Sequence, residues 1–188
     1  MTTSSPTVSV PPRLHPSSMI RRSAVLVLVL GMSIVAVSVV FTYPFAYSIP
    51  LAGIVAGALA FTFFKGRYLY GRPTSLQSIA ISVTLVLGVI LLIGLFVFLP
   101  DYASRTFLLG MLLVIGIVFI PLGIASGPLM LLLAGLCILN ALLGLWLQGV
   151  SLTFFAGIDG VLKIIFGILM LRARPVHPDT ERGVRPSP

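Results

Sequence analysis

The sequence predicts an all-α fold, a polytopic integral membrane helix bundle with about six transmembrane helices arranged as three hairpins. Of 188 residues, 58% are hydrophobic and 9% are charged, and the mean hydropathy is +1.16. A soluble domain of this size cannot bury so much apolar surface with so few charges. Six apolar runs each have about the 17–25 residues that a helix needs to cross a bilayer. They are residues 24–41, 48–64, 79–99, 107–125, 128–147 and 151–171.

The six runs favour helices because none of them alternates polar and apolar residues as a transmembrane strand does. The chain before them is rich in Ser, Thr and Pro, which is typical of disorder. We therefore predict a disordered cytoplasmic tail over residues 1–23, a transmembrane domain over residues 24–171 and a disordered basic tail over residues 172–188. Both histidines, His15 and His177, lie in these tails. We expect no metal site and no cofactor in the membrane.

The distribution of basic residues predicts the topology. Of the twelve Lys and Arg residues, Lys163 lies inside the sixth run. With six spans, ten of the others fall on one side of the membrane and Arg105 falls on the opposite side. By the positive-inside rule, both termini are then cytoplasmic. We expect the membrane to be the plasma membrane. The net charge of +8 is therefore expected to meet anionic lipid headgroups and no nucleic acid.

Arginine, lysine and tyrosine residues at the predicted interfaces are interpreted as anchors. In the loop over residues 65–75, cations alternate with aromatic residues, a mixture that RNA-binding surfaces also use. Beside a membrane helix, snorkelling cations and interfacial tyrosines explain the same mixture. The predicted membrane-interface anchors are Arg21, Arg22, Lys65, Arg67, Tyr68, Tyr70, Arg72, Arg172 and Arg174.

The connections after the third and fourth runs carry two further expectations. After the third run, Asp101 and Arg105 are expected to form a solvated ion pair of little energetic value. The fourth run contains Pro121 and meets the fifth run at residues 123–128. Two interpretations are open there, namely a tight cytoplasmic turn between two full spans and a re-entrant pair broken at membrane depth, as in transporters. Charge counting does not separate them, because both leave the other spans in the same orientation.

The sixth run contains two opposite charges, Asp159 and Lys163. They are i,i+4 neighbours with the acid on the N-terminal side, the orientation that pairs best on a helix. A charge at the membrane centre costs about 2.5–3.5 kcal/mol on insertion scales, so such residues face the bundle interior and find partners. Asn140 and Asp159 are at similar distances from the turn near Gly149, so Asn140 can donate a hydrogen bond to the carboxylate. Thr153 is a further candidate donor. We predict an intramembrane polar centre of Asp159, Lys163 and Asn140.

This polar centre has two interpretations. As a structural clasp, the paired acid and base cancel each other's charge and fix the register of the last hairpin, as buried pairs can do without raising stability. As a functional site, Asp159 changes its protonation or meets an ion or solute in a cavity, as intramembrane carboxylates of transporters do. The two interpretations differ in whether the polar centre reaches water.

Enzyme signatures are incomplete. Residues 124–127 resemble the serine motif of rhomboid proteases, but the glycine before the alanine is missing and no apolar run contains a histidine base. Residues 157–160 resemble the glycine-aspartate motif of intramembrane aspartyl proteases, whose chemistry needs a second membrane aspartate. The other aspartates, Asp101 and Asp179, lie in a loop and a tail. We therefore expect no enzyme and no catalytic residue.

Parts of the predicted hairpins share a pattern of glycine, proline and Asp-Gly. Residues 88–100 form a glycine-spaced run that ends in proline, and residues 31–44 are a looser copy. The segment from Asp159-Gly160 to Arg172-Ala173-Arg174 forms the closing half of such a unit. Together these segments resemble the HdeD-like acid-resistance membrane proteins, although Lys163 is not part of that pattern. The resemblance implies a six-helix inner-membrane protein linked to stress tolerance, without an established catalytic residue.

The sequence thus predicts a multi-pass membrane protein without catalytic activity, with a stress-related structural role in the cytoplasmic membrane. The alternative is a small transporter or proton-responsive channel that uses the Asp159/Lys163 pair. Small residues at four-residue spacing, such as Gly53 and Gly57, let helices approach closely. A homo-oligomer or a partner in a membrane complex is therefore compatible with the sequence.

Overall fold

The described part of the chain is almost entirely helical. The computed structural model describes residues 16–39, 75–99, 101 and 104–172. Within these residues it has five helices: α1 (Pro16–Val39), α2 (Ser75–Phe98), α3 (Arg105–Ser126), α4 (Pro128–Trp146) and α5 (Leu152–Arg172). Helices α2 to α5 are each long and apolar enough to cross a membrane. The prediction of an all-α membrane protein is confirmed for these residues, whereas the predicted run over residues 48–64 lies outside them.

Helix α1 begins at Pro16, eight residues before the predicted start of the transmembrane domain at residue 24. Proline suits a first helical turn because its fixed φ is helical and its missing N–H would have no intrahelical partner there. Arg21 is exposed and Arg22 is half-buried on this first part of the helix. Long arginine side chains can keep their charge in the headgroup region while the backbone stays helical. Hydropathy therefore predicted the apolar part of α1 but not its first residues. Residues 1–15 and 173–188 lie outside the described residues.

Helices α3 and α4 are joined by a single residue. Pro121 is accommodated inside α3, which continues to Ser126, and α4 begins at Pro128. Between them, Gly127 has a φ of 109° and a ψ of 179°, a conformation that is essentially restricted to glycine. Because α3 and α4 have 22 and 19 residues and both reach membrane length, the structure supports a tight turn between two full-length helices over a re-entrant pair.

The helices pack antiparallel to their neighbours. Leu95 near the end of α2 lies beside Gly110 near the start of α3, and Gly144 near the end of α4 lies beside Leu109 near the start of α3. The most extensive contacts join α1 to α5 and α3 to α4, followed by α2 with α3 and α4 with α5. The predicted arrangement as three hairpins is not supported by the described helices, because the most extensive contacts do not follow that pairing. Helix α5 packs more extensively on α1, far away in the chain, than on α4, because glycines allow a closer approach there.

The helix directions define two ends of the bundle. Helix α1 is antiparallel to α5, since Ala24 and Leu28 lie near Gly167 while Val35 lies near Gly160. It follows that α1, α2 and α4 run in one direction and α3 and α5 in the other. We call the end with Arg21, Arg22 and Arg172 the basic end, and the opposite end, with Val39, Phe98 and Arg105, the far end.

An apolar core lies between α1, α3, α4 and α5. It is built mainly from aliphatic and aromatic side chains that are buried on all four helices, such as Val27, Leu109, Leu133 and Phe155. Helix α2 is much less covered, and Gln77 and Ala80 are its buried residues in the described structure. The core therefore surrounds the charged part of α5, which positions the candidate site.

Candidate functional site

Asp159 and Lys163 form an ion pair inside the bundle. The Lys163 ammonium donates to Oδ2 of Asp159, and both side chains have 0% solvent exposure. One turn of α5 separates them, so the helix itself sets their spacing. Burying a single charge is very costly unless it is paired. The sequence-predicted pairing is present in the structure, at the centre of the described core.

Helices α3 and α4 supply soft, weakly polar surroundings for the ammonium. Nζ of Lys163 lies 3.5 Å from Sγ of Cys137 on α4, close enough to donate a weak hydrogen bond. It also lies 5.8 Å from the ring centroid of Phe119 on α3, within the distance at which an aromatic face attracts a cation. Sequence reasoning missed both neighbours, because an apolar run does not show which of its aromatic or sulfur side chains faces a charge on another helix.

Small residues of α1 and α5 pack together and cover the ion pair on the side of α1. We define the glycine seam as Ala24, Gly31, Gly160 and Gly167. A Cβ atom added at Gly31 would stand 2.8 Å from Cβ of Lys163 and 2.8 Å from the carbonyl oxygen of Gly160. A Cβ added at Gly160 would stand 3.0 Å from the carbonyl oxygen of Gly31. Small residues allow the two backbones to approach this closely, and water is thereby excluded from the pair.

Asn140 is near the ion pair but bonds elsewhere. Its Nδ2 donates to the carbonyl oxygen of Phe155 on α5 at 2.9 Å, and Oδ1 of Asp159 has no hydrogen-bond partner in the described structure. The expected bond from Asn140 to the carboxylate is therefore not formed. A backbone carbonyl has two lone pairs, so Phe155 can accept from Asn140 as well as from its own helix. Thr153, the other proposed hydroxyl donor, is exposed.

Two serines connect α1 to α3 near the basic end. The hydroxyl oxygens of Ser23 and Ser126 are 2.6 Å apart, and both side chains are buried. One hydroxyl donates to the other, which reduces the cost of placing two polar groups in an apolar environment. The contact joins residues 103 positions apart, and no local sequence signal indicates it.

Arg105 holds the far end of α4. Its guanidinium donates to the carbonyl oxygens of Gly144 and Leu147, each at 2.8 Å, and to that of Val150. The last carbonyls of a helix lack intrahelical partners and carry partial negative charge, so a cation stabilises them. Sequence analysis placed Arg105 in solvent beside Asp101; instead, its side chain spans from the start of α3 to the turn between α4 and α5.

Only part of the predicted set of membrane-interface anchors can be located. Arg21, Arg22 and Arg172 lie together at the basic end because α1 and α5 are antiparallel. This is the placement that the predicted topology requires. The other predicted anchors fall outside the described residues, namely Lys65, Arg67, Tyr68, Tyr70, Arg72 and Arg174.

An apolar groove lies between α1, α2 and α3. Its volume is about 370 Å³, and we call it the α1–α2–α3 groove. Leu26 and Leu30 line it from α1, while Phe119 contributes to its wall from α3. The ring of Phe119 also faces Lys163, so this residue is shared by the groove and the charged centre. Among the described residues, no three His, Cys, Asp or Glu side chains come together as a possible metal site.

Sequence comparison places this architecture in a family. Neither the comparison with curated proteins nor that with solved structures gives a match. A family model described as a family of unknown function matches residues 17–178. This range contains the ion pair, the glycine seam and all five described helices except the first residue of α1. The chain therefore belongs to the family of unknown function DUF6609.

Proposed function

We propose that the protein is a multi-pass structural protein of the cytoplasmic membrane without catalytic activity, in which the Asp159–Lys163 pair is a clasp for helix α5. The observation that carries this proposal is the complete burial of both charged side chains against each other. Helices α1, α3 and α4 contribute neighbours to the pair, and the α1–α2–α3 groove, which shares Phe119 with it, is apolar. A stress-related role is supported by the resemblance of the repeated segments to the HdeD-like proteins.

The energetics of a buried pair suit a clasp. Replacing a buried ion pair with apolar residues is often neutral for stability, whereas removing one partner costs about 3–5 kcal/mol because the other charge stays buried alone. A rotation of α5 would turn Asp159 or Lys163 toward lipid, where each charge would lose its partner. The pair therefore selects one orientation of α5 among the many that its apolar side chains would allow.

The helix directions support six crossings. Helix α1 ends at the far end with Val39, and α2 starts at the basic end with Ser75, so the two described helix ends that flank residues 40–74 lie at opposite ends of the bundle. These residues include the apolar run 48–64, which is long enough for a span. Such a crossing brings the loop over residues 65–75 to the basic end. The positive-inside rule then makes that end, and both termini, cytoplasmic.

The proposed partners follow from this orientation. The cations of the basic end contact anionic lipid headgroups, with no role in nucleic-acid binding. Apolar side chains exposed on the helices, such as Trp146 with 79% exposure, face lipid or another protein. Association with a second copy or a membrane-complex partner through these faces is compatible with the proposal.

A small transporter or proton-responsive channel is the second candidate function. It is favoured by one observation, the buried Oδ1 of Asp159, which has no hydrogen-bond partner in the described structure. Such an atom is ready to accept a proton or a bond from a solute.

A flux assay separates the two functions. The wild-type protein, Asp159→Asn and Lys163→Met are reconstituted into vesicles that contain a pH-sensitive dye, with protein-free vesicles as the control. The clasp predicts the same proton leak in all four preparations. A flux that appears with the wild type and collapses in Asp159→Asn, while that variant keeps its helix content, would establish the transport function and reject the clasp.

A further inference from the structure

We propose that Trp146 places its indole ring among the headgroups and ester carbonyls of the lipid leaflet at the far end, level with the guanidinium of Arg105. The partner of this surface is thus phospholipid at the edge of the hydrocarbon layer, and the two side chains fix how deeply the bundle sits there. The inference rests on the proposed membrane-spanning function and adds the depth at which the far end meets lipid.

Trp146 is the exposed last residue of α4. It is the only tryptophan of the chain, it ends the helix and it is 79% exposed. An indole combines a large apolar ring with one N–H donor, so it prefers the layer in which a bilayer changes from apolar to polar. This preference suits the end of a membrane helix better than its middle.

The backbone that follows Trp146 is not suited to hydrocarbon. Residues 147–151 form a non-helical turn, and all of them except Val150 are exposed. An irregular backbone that faces lipid does not occur within the hydrocarbon region, because its N–H and C=O groups would lack partners there. The hydrocarbon at the far end therefore stops at or before residue 147, which is the level of Trp146.

Arg105 indicates the same level from α3. Its guanidinium donates to the carbonyl oxygens of Gly144 and Leu147, each at 2.8 Å, and these residues lie two before and one after Trp146. A guanidinium is costly at the membrane centre but is tolerated near a helix end, where it reaches the interface. The cation on α3 and the turn after α4 therefore place the edge of the hydrocarbon at one level.

The face of α4 that carries Trp146 changes from apolar to polar in the same direction as a lipid leaflet. Leu142 and Leu139 lie four and seven residues before Trp146 on the same helix face, with exposures of 48% and 54%. Gln148, two residues after it, is exposed. The order leucine, tryptophan, glutamine matches the passage from acyl chains to headgroups, whereas packing against a protein partner would not require this order.

The distance to the basic end fits one hydrocarbon layer. The hydroxyls of Ser23 and Ser126 are hydrogen-bonded, so Arg22 lies beside the end of α3. Helix α3 has 22 residues from Arg105 to Ser126, which is about 33 Å at 1.5 Å per residue. The hydrocarbon core of a bilayer is about 30 Å thick. When Trp146 and Arg105 lie at one edge of that core, Arg22 therefore lies at the other.

Fluorescence of the native tryptophan tests this depth. The full chain is reconstituted into phosphatidylcholine vesicles whose lipids carry bromine near the headgroup or near the end of the acyl chains, and the loss of emission is measured against unbrominated vesicles. The matched control combines Trp146→Phe with Leu139→Trp. This change moves the only tryptophan seven residues, or about 10 Å, toward the membrane centre on the same face of α4.

The inference expects the shallow bromines to quench Trp146 more than the deep ones, and the order to reverse in the control. Stronger quenching of Trp146 by the deep bromines would overturn it, because α4 would then end inside the hydrocarbon. If neither lipid quenches Trp146 while the control is quenched, the inference is overturned as well, and a protein partner or a second copy covers this residue.

Extraction with alkaline carbonate separates failure of this inference from failure of the proposed function. If the wild-type chain is released from the vesicles, it does not span the bilayer, and the proposed membrane function fails together with the inference. If the chain stays in the membrane and Trp146 lacks the shallow quenching pattern, the protein spans the bilayer and only the inferred depth is wrong.

Discussion

Gly31 of α1 lies directly against Lys163 of α5: a Cβ atom added at Gly31 would stand 2.8 Å from Cβ of Lys163. The same position is 2.8 Å from the carbonyl oxygen of Gly160 and 3.0 Å from the backbone nitrogen of Ile164. Two of these three atoms belong to the backbone, so they cannot move aside as a flexible side chain can. Burial of the ion pair therefore depends on a glycine in another helix, more than 130 residues earlier in the sequence (163 − 31 = 132).

Gly31→Ala is expected to destabilise the protein by separating α1 from α5. Overpacking of this kind costs about 1–3 kcal/mol. The control is Gly94→Ala in α2, where an added Cβ would have no neighbour within 4 Å. Thermal unfolding in detergent should show a lower midpoint for Gly31→Ala and no loss for Gly94→Ala. Equal stability of both variants would contradict the close packing of α1 on α5.

Asp159→Asn and Lys163→Met are each expected to destabilise the protein, and the double variant is expected to recover most of the loss. Each single change leaves one buried charge without its partner, at a cost of about 3–5 kcal/mol, whereas the double change removes both charges. The free energies of unfolding of all four proteins, measured by denaturant titration in mixed micelles, give the coupling energy directly. Losses that simply add in the double variant would show that the two side chains are not coupled.

Gly127→Ala is expected to destabilise the turn between α3 and α4, although an added Cβ would meet nothing within 4 Å. The reason is the backbone conformation, with φ at 109° and ψ at 179°, which costs a non-glycine residue about 1–3 kcal/mol. Gly149→Ala, in the turn between α4 and α5, is the matched control, because Gly149 also has open space but no positive φ. The comparison of their unfolding midpoints isolates backbone strain, and a loss of the same size in both variants would reject this explanation.

Arg105→Lys is expected to weaken the far end of α4 even though the charge is kept. The planar guanidinium of Arg105 reaches three carbonyl groups at once, and a lysine cannot reproduce that fork. The expected loss of local stability is that of one hydrogen bond to a charged group, about 1.5–3 kcal/mol. Hydrogen exchange of the amides between residues 144 and 155 is the direct readout, with Arg172→Lys at the exposed end of α5 as the control. Unchanged exchange in Arg105→Lys would show that its contacts do not hold the turn.

The part of the site that was predictable from sequence is the part that a single helix creates. Asp159 and Lys163 are one turn apart, so their pairing follows from helix geometry alone. Gly31, Cys137 and Phe119 complete the site from three other helices, and each lies in an apolar run in which many residues could occupy the same place. Because lipid-facing and protein-facing sides are both apolar in a membrane, the pattern of hydrophobic residues does not reveal which face packs inward.

The same physical reason limits the prediction of the fold. Membrane length and apolar composition identified the four runs that correspond to α2 to α5, with ends close to those in the structure. They did not indicate that α5 packs most extensively on α1, since that preference comes from the fit of glycines on both helices. Pro16 shows a further limit, because a helix can extend beyond its apolar run wherever arginine side chains can reach the headgroups.

The contact between α1 and α5 also orders the events of biosynthesis. During translation, α1 leaves the ribosome before the other four described helices, and α5 leaves it after them. During that interval, the side of α1 that carries Ala24 and Gly31 contacts lipid or the insertion machinery in the place that α5 later occupies. Ser23 likewise cannot bond to Ser126 until α3 has been made. The described bundle is therefore completed only when residues 152–172 have been made, and a nascent chain stopped before that point leaves the α5-facing side of α1 uncovered.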